Sequence, residues 1–211
     1  MRVTAETKQA TRQRILDAAQ RLFATQGFDA ATTRDIARDA EIAAGTLFNY
    51  FPTKEAVALC LVSEAHALAA DRFEAGFASE SDESLTLEEE LFAHAAAVLR
   101  KLKPFRKCLT AILETALSPL TSDRAAGARA LRTVHLETVS RIASRHGQTE
   151  SLSTVALQLY WTLYIGVLGF WSQDGSPRQE DTLALLDQSL AMFVGWLASH
   201  TNSTSPREKR G

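Results

Sequence analysis

Cysteine is scarce in this chain: Cys60 and Cys108 are the two thiols among 211 residues. Two thiols cannot build a disulfide framework or a four-cysteine zinc site, and they read as reduced groups in a cytoplasmic protein. Proline and glycine are sparse as well, five and ten, which excludes collagen-like and Pro/Gly low-complexity chains. An excess of one charge is also missing: 23 Lys and Arg stand against 25 Asp and Glu, a net −2. That balance argues against a general nucleic-acid coat. No alternating apolar pattern of any length marks a strand, and no internal repeat is visible. Residues 1–14 are polar and basic, so no secretory leader is expected there.

What is present is helical periodicity and enough apolar mass for a core. Hydrophobic residues make up 45% of the chain, which excludes disorder of the whole. Charge is mildly asymmetric. Residues 1–54 hold eight Lys/Arg and six Asp/Glu, and the remainder hold fifteen and nineteen, so the N-terminal part is the more basic one.

Ile15, Leu16, Ala19, Leu22 and Phe23 share one helix face, and Gly27 supplies a left-handed stop. Thr32 is placed to cap a short helix, with Asp35 at its positive end. Ala43–Phe51 makes a second short segment, stopped by Pro52, and Thr53 caps a long helix carrying Val57, Leu61, Ala65 and Leu68. The serine-acidic run 79–84 reads as a solvated loop. Thr86 and Glu89 then form a capping box for the next helix. Helices are expected over 105–117, 123–146, 151–173 and 177–199, the last opened by a capping box of Ser176 and Gln179. Residues 200–211 read as a polar tail. The fold class is all-α, with about nine helices.

The segment from Thr32 to Lys54 has the outline of a helix-turn-helix, whose second helix enters the DNA major groove. Thr46, Asn49 and Tyr50 can present hydroxyl and amide groups along one side of that helix. Gly45 lets backbone approach a phosphate or sugar. Lys54 stands beside free helix N-terminal amides, an arrangement suited to a phosphate. Arg34 has the fork that reads a guanine edge. Ile36, Ala37, Ala40, Ile42, Leu47 and Phe51 pack between the helices. By pattern alone, a helical hairpin in a larger bundle fits as well.

The run TTRDIARDAEIAAGTLFNYFPTKEAV, preceded by ILDAAQRLFATQGFDA, resembles the DNA-binding segment of the TetR family of transcriptional regulators. The resemblance covers about a quarter of the chain. It implies a three-helix DNA-binding domain over 1–53 and a larger effector-binding and dimerisation domain over 54–199. It also implies a homodimer on a palindromic double-stranded operator, released by a small molecule. Carried over, Thr33, Tyr50 and Lys54 lie at phosphates, and Arg34, Ala44, Thr46 and Asn49 face bases or the groove wall. Phe48 stands where the family commonly has tyrosine and offers apolar contact alone. Glu41 replaces a frequent turn glycine, which implies a left-handed glutamate. Ala43 replaces a frequent serine, which removes a cap.

In the larger domain, residues 151–173 carry no charge. Their length would suffice for a membrane span, but Gln158 and Thr162 interrupt the run and no basic cluster follows it. A dimer core explains the same composition. Leu159, Gly166, Leu183, Leu186, Leu190, Phe193 and Leu197 are the expected interface, and no membrane partner is expected. A ligand pocket is expected among the helices that follow Val57. Its candidate residues are His66, Phe73, Phe92 and His94 on the earlier helices, with Phe105, Cys108, Ile112 and Glu114 in the middle. His135, Tyr160, Tyr164 and Trp171 complete the set. The mixture points to a largely apolar effector.

An enzyme is the competing class. A di-iron bundle needs Glu three residues before His, and those positions hold Ser63, Leu91, Arg132, Ala143 and Leu197. No phosphate loop, nucleotide fingerprint or nucleophile elbow is present in the sequence. No catalytic residue, metal ligand or cofactor is therefore expected. The other alternative is a helical ligand-binding or interaction protein with weakened or lost DNA binding.

Overall fold

Helix starts in this protein are set by short polar side chains. In a computed structural model, which describes residues 4–79, 85–117, 126–148 and 152–201, the Thr4 hydroxyl caps α1 (Ala5–Thr25) by accepting from the Thr7 amide. Thr32 and Asp35 form a reciprocal capping box at α2 (Thr33–Asp39), and Thr86 and Glu89 form another at α5 (Leu87–Leu102). The Thr53 hydroxyl accepts from the Ala56 amide at 3.1 Å and opens α4 (Lys54–Ser79). Each such bond satisfies an amide that the helix itself leaves unpaired, typically about 1 kcal/mol per cap. Gly27 and Gly147 adopt positive φ, 85° and 78°, where the chain leaves α1 and α7, a conformation open to a residue without Cβ.

The remaining helices are α3 (Ala44–Tyr50), α6 (Arg106–Leu117), α7 (Ala126–Arg145), α8 (Thr154–Gln173) and α9 (Glu180–Thr201). Among the described residues there is no strand. Helices α1–α3 surround a small core in which Ile15, Leu16, Ile36 and Leu47 are fully buried. Helix α4 joins this unit to the rest, packing on α1 at one end and between α5 and α7 along its length. Helix α8 packs on α6 and α9, and α9 closes onto α5.

The expected capping box at Ser176 and Gln179 does not form. Residues 177–179 are a single 3-10 turn, and α9 starts at Glu180. The Ser176 hydroxyl still caps α9 by accepting from the Asp181 amide at 3.1 Å, and the Asp174 carboxylate shares that role, accepting from the Ser176 amide at 2.7 Å and the Thr182 amide at 3.1 Å. Gln179 turns instead to the indole of Trp171, whose Nε1–H donates to it at 2.9 Å. Arg178 and Gln179 both take positive φ, so the chain cannot run straight from the proline into a helix. The 79–84 loop beyond Ser79, the start of α7 near Asp123 and the tail beyond Thr201 lie outside the described residues.

The expected dimer seam also needs correction. Leu186, Leu190, Phe193 and Leu197 are buried within the chain, because α9 turns that face onto α5 and α8. They are core, not surface. The exposed apolar positions on these helices are Val155, Phe170, Leu183, Leu185 and Met192, the last 69% exposed. Leu159, half-buried, and Gly166, exposed, fall on the α8 stripe of Val155 and Phe170. A Cβ added at Gly166, Gly169 or Gly195 would meet nothing within 4 Å, so no helix of this chain approaches there. Helices α8 and α9 are each long and apolar enough to cross a membrane by length and composition; α8 nonetheless buries Tyr160, Tyr164, Val167, Leu168 and Trp171 against its own chain.

Candidate nucleic-acid interface and ligand sites

The α2–α3 pair is built around a reversal of the chain at Glu41. The Ile42 amide reaches back to the Ala37 carbonyl at 3.0 Å. Glu41 takes φ 54° to permit this, the left-handed conformation expected there. Ala43 occupies the cap position of α3 and forms no side-chain cap. Helix α3 is anchored by Leu47, fully buried, and by Phe51 at its end. That anchoring turns the other side outward. Ala44, Gly45, Phe48 and Asn49 are exposed, and Thr46 and Tyr50 are half-buried. Phe48, at 50% exposure, is a large apolar side chain with no structural reason to be there.

Arg34 is exposed on α2 and, among the described residues, makes no ion pair, so its guanidinium is available. Thr33 is half-buried at the first position of the same helix. The neighbouring cations are committed: Arg38 pairs with Asp35 at 2.6 Å and Arg21 with Asp39 at 2.8 Å. The Thr32 hydroxyl and backbone hold the Asp35 carboxyl below its ordinary value. Lys54 differs from the open anion site expected of it. Its Nζ donates to the Phe28 carbonyl at 2.6 Å and lies 4.2 Å from the centroid of the Phe28 ring. The ammonium thus holds the α1–α2 loop against α4 through the Phe28 carbonyl and ring face.

The expected pocket residues divide into groups. His66, His94, His135, Tyr160 and Tyr164 come together in the middle of the larger domain, and all five are buried. His66 Nε2 and His135 Nδ1 are 3.0 Å apart, a bond that needs one protonated and one bare nitrogen. The His135 ring stacks on Tyr164 at 3.9 Å and on His94 at 5.2 Å, and Phe73 meets His94 edge-on at 5.1 Å. Among the described residues, both His94 nitrogens, His66 Nδ1, His135 Nε2 and both tyrosine hydroxyls have no hydrogen-bond partner. Burial pushes His66 down to about 4 and His94 to about 3, and lowers His135 for the same reason. All three rings are neutral near pH 7. Among the described residues, no three His, Cys, Asp or Glu side chains converge as a metal site.

Phe105, Cys108 and Trp171 are core residues, and Phe92 is half-buried. The Cys108 thiol donates to the Phe105 carbonyl at 2.9 Å. The Glu114 side chain lies outside the described residues. Ile112 lines a cavity of about 730 Å³, the size class of small-ligand sites. The cavity opens where the α3–α4 turn, α1 and α4 face α6 and α7. Its other walls were not anticipated, because they come from helices distant in sequence and no local pattern joins them.

Sequence reasoning also missed Glu90. This carboxylate is fully buried, paired with Arg145 and 2.6 Å from His146 Nε2. It sits in the run Glu88-Glu89-Glu90, which looks like a solvated first turn. The available signal was its position four residues before His94, on the buried face of α5.

The sequence model of "Bacterial regulatory proteins, tetR family" matches residues 15–60. The regulator UidR of Escherichia coli K12 is 37% identical over 65 residues, 31% of this chain and 33% of UidR. The transcriptional repressor KstR of Mycolicibacterium smegmatis is 40% identical over 50 residues, 24% of each chain. The match spans about a third or less of the length of these relatives. In three dimensions the likeness extends over nearly the whole chain. Thermus thermophilus FadR, a TetR-family repressor solved with lauroyl-CoA, aligns with a TM-score of 0.67 at 22% identity, over 95% of this chain and 98% of that one. Bacillus subtilis FadR, solved with stearoyl-CoA, aligns at 0.59 and 20% identity, over 86% and 97%. These two likenesses carry the fold. The matched N-terminal helices are similar to the DNA-binding segment of the TetR family, and the rest of the chain shares the architecture of these solved regulators.

Proposed function

We propose that this protein is a sequence-specific DNA-binding transcriptional regulator, a repressor released from a palindromic operator by a small, largely apolar effector. The observation that carries the reading is the α2–α3 pair, with Leu47 buried and Thr46, Phe48 and Asn49 turned outward beside an unpaired Arg34. A helix anchored on one side and polar on the other is what the major groove accepts. Thr33 and Tyr50 serve phosphates, Arg34 reads a base edge, and Ala44, Gly45, Thr46 and Asn49 meet bases and groove wall. The protein acts in the cytoplasm as a homodimer. The exposed stripe of Val155, Leu159, Gly166 and Phe170 on α8, with Leu185 and Met192 on α9, supports that assembly, since a contiguous exposed apolar surface favours a partner. Two recognition helices then enter successive major grooves about 34 Å apart.

Selection of bound duplexes from a random DNA pool, with the oligomeric state measured alongside, tests the reading. An inverted repeat bound by a dimer is the expected result. On that repeat Arg34→Ala should cost about 1–3 kcal/mol and relax the preference at one base pair. A folded dimer that enriches no sequence at low salt would overturn it. Glu41 and the missing cap at Ala43 favour that second outcome: the exposed carboxylate sits beside the recognition helix and repels phosphate.

A further inference from the structure

The cavity of about 730 Å³ has walls from both parts of the molecule. Tyr50, the last residue of the recognition helix, and Thr53, the cap of α4, form one side together with Arg12 of α1. Leu59 of α4, Ile112 of α6 and Val134 of α7 form the apolar remainder. An occupant would therefore touch the recognition helix and the larger domain at once.

The polar groups at the wall are unequal in charge. Glu55 and Glu64 supply two carboxylates, and Arg12 one guanidinium. The guanidinium is already spent. Its Nη1 pairs with Glu64 at 2.9 Å, and its Nη2 donates to the Cys60 thiol. Glu55 has neither an ion pair nor a side-chain hydrogen bond among the described residues, so the uncommitted charge of the wall is negative. Burial, with Glu64 beside it and against the pull of Arg12, pushes the Cys60 thiol up to about 11. The sulfur therefore adds no anion to the wall.

We propose that this cavity is the effector site, and that it takes a molecule with an apolar body and a cationic head, an amphiphilic amine rather than an acyl anion. The head pairs with Glu55, and the body lies along Leu59, Ile112 and Val134. The occupant presses on the turn that carries Tyr50, and it lowers operator affinity to the extent that it binds the DNA-free arrangement more tightly. The inference rests on the reading of the chain as an effector-controlled regulator, and it adds where the effector binds and what charge it carries.

Dodecylamine and dodecanoate are suitable probes, with one chain length and opposite charge. Both are used below their micelle-forming concentrations. Alkylation of Cys60 by N-ethylmaleimide, followed by peptide mass spectrometry, reports occupancy. Anisotropy of a bound operator duplex reports release. Dodecylamine should slow Cys60 alkylation at least fivefold and dodecanoate less than twofold. Dodecylamine should also weaken operator binding at least tenfold. Ala130→Trp, at an exposed position on the cavity wall, should abolish both effects while operator binding of the free protein remains. Glu55→Gln should bring the two probes within twofold of each other. Equal or better protection by dodecanoate would overturn the proposal, as would protection that survives Ala130→Trp. Protection of Cys60 in a protein that binds no DNA sequence would keep the ligand site and defeat the regulator reading. Operator binding without protection would do the reverse.

Discussion

Helices α1–α3 and the larger domain differ in where their polar side chains stand. In the N-terminal unit they stand at helix ends and satisfy neighbouring amides: Thr4, Thr32 with Asp35, and Thr53. The larger domain repeats such caps at Thr86 and Ser153, but it also encloses several polar groups. His66, His94 and His135 are fully buried, several of their nitrogens lack partners, and Glu90 is buried in an ion-pair cluster. An enclosed polar group costs free energy unless it is paired. The N-terminal unit therefore gains a little from each polar contact, whereas the larger domain depends on a few groups keeping the right protonation state and partner.

Acid gives the sharpest test of that contrast. The three buried imidazoles are held neutral below their ordinary value of 6.5, because burial disfavours the charged form. In the unfolded chain they are free to charge. Their contribution is intact above about pH 6.5 and is lost as the pH falls from there through about 4 for His66 and about 3 for His94. With three rings involved, the slope reaches up to about 4 kcal/mol per pH unit. Urea unfolding at pH 7, 6 and 5 should follow it, and His94→Phe should remove about a third. A flat profile would mean that the cluster is hydrated and the contrast false.

Next in size is the ion pair. Arg145→Met leaves the buried Glu90 carboxylate with His146 alone and should cost about 3 kcal/mol in chemical denaturation. The same change at Arg12, whose partner Glu64 is largely exposed, should cost less than about 1 kcal/mol. Equal losses would erase the difference between the two regions.

Lys54 separates a structural cation from a phosphate-binding one. Lys54→Met removes a charged hydrogen bond to the Phe28 carbonyl and should lower stability by about 1.5 kcal/mol. The salt dependence of operator binding should change by much less than one phosphate contact. A loss of one full contact from the salt slope, with stability untouched, would restore the phosphate role. The smallest effect is expected at Glu41. Glu41→Gly relieves the left-handed backbone and should raise stability by about 1 kcal/mol. Operator affinity should also rise, since a carboxylate leaves the phosphate surface. Thermal unfolding and a binding titration check the two parts.

Legibility in the sequence follows the same division. Thr32 and Asp35, Thr86 and Glu89, and Gly27 were all readable, because each concerns residues within a few positions of one another, whereas the left-handed turn at Glu41 followed from the family resemblance. Ser176 and Gln179 carried an equally good local signal, and half of it held: the Ser176 hydroxyl accepts from the Asp181 amide. Asp174, eight residues before Thr182, also reached an α9 amide, and the Trp171 indole claimed Gln179. Lys54 shows the same reach beyond local pattern, since the carbonyl it donates to lies 26 residues away. The apolar periodicity of α9 was correct as periodicity, but it does not say whether the face meets another helix of the same chain or of a second one. Leu186, Leu190, Phe193 and Leu197 met their own chain.

By itself the sequence determined the all-helical class, most helix ends and the outline of the α2–α3 pair, since caps, turn residues and apolar spacing act over one or two turns of chain; the family resemblance selected the helix-turn-helix from that outline. Tertiary structure decided the rest. It brought His66, His94 and His135 from α4, α5 and α7 into one buried cluster, enclosed Glu90, and opened a cavity between Arg12, Tyr50 and Ile112. Those outcomes depend on which helix faces meet. That is fixed by the packing of the whole core and by the need to pair what the core encloses, and neither is written in any short stretch of the chain.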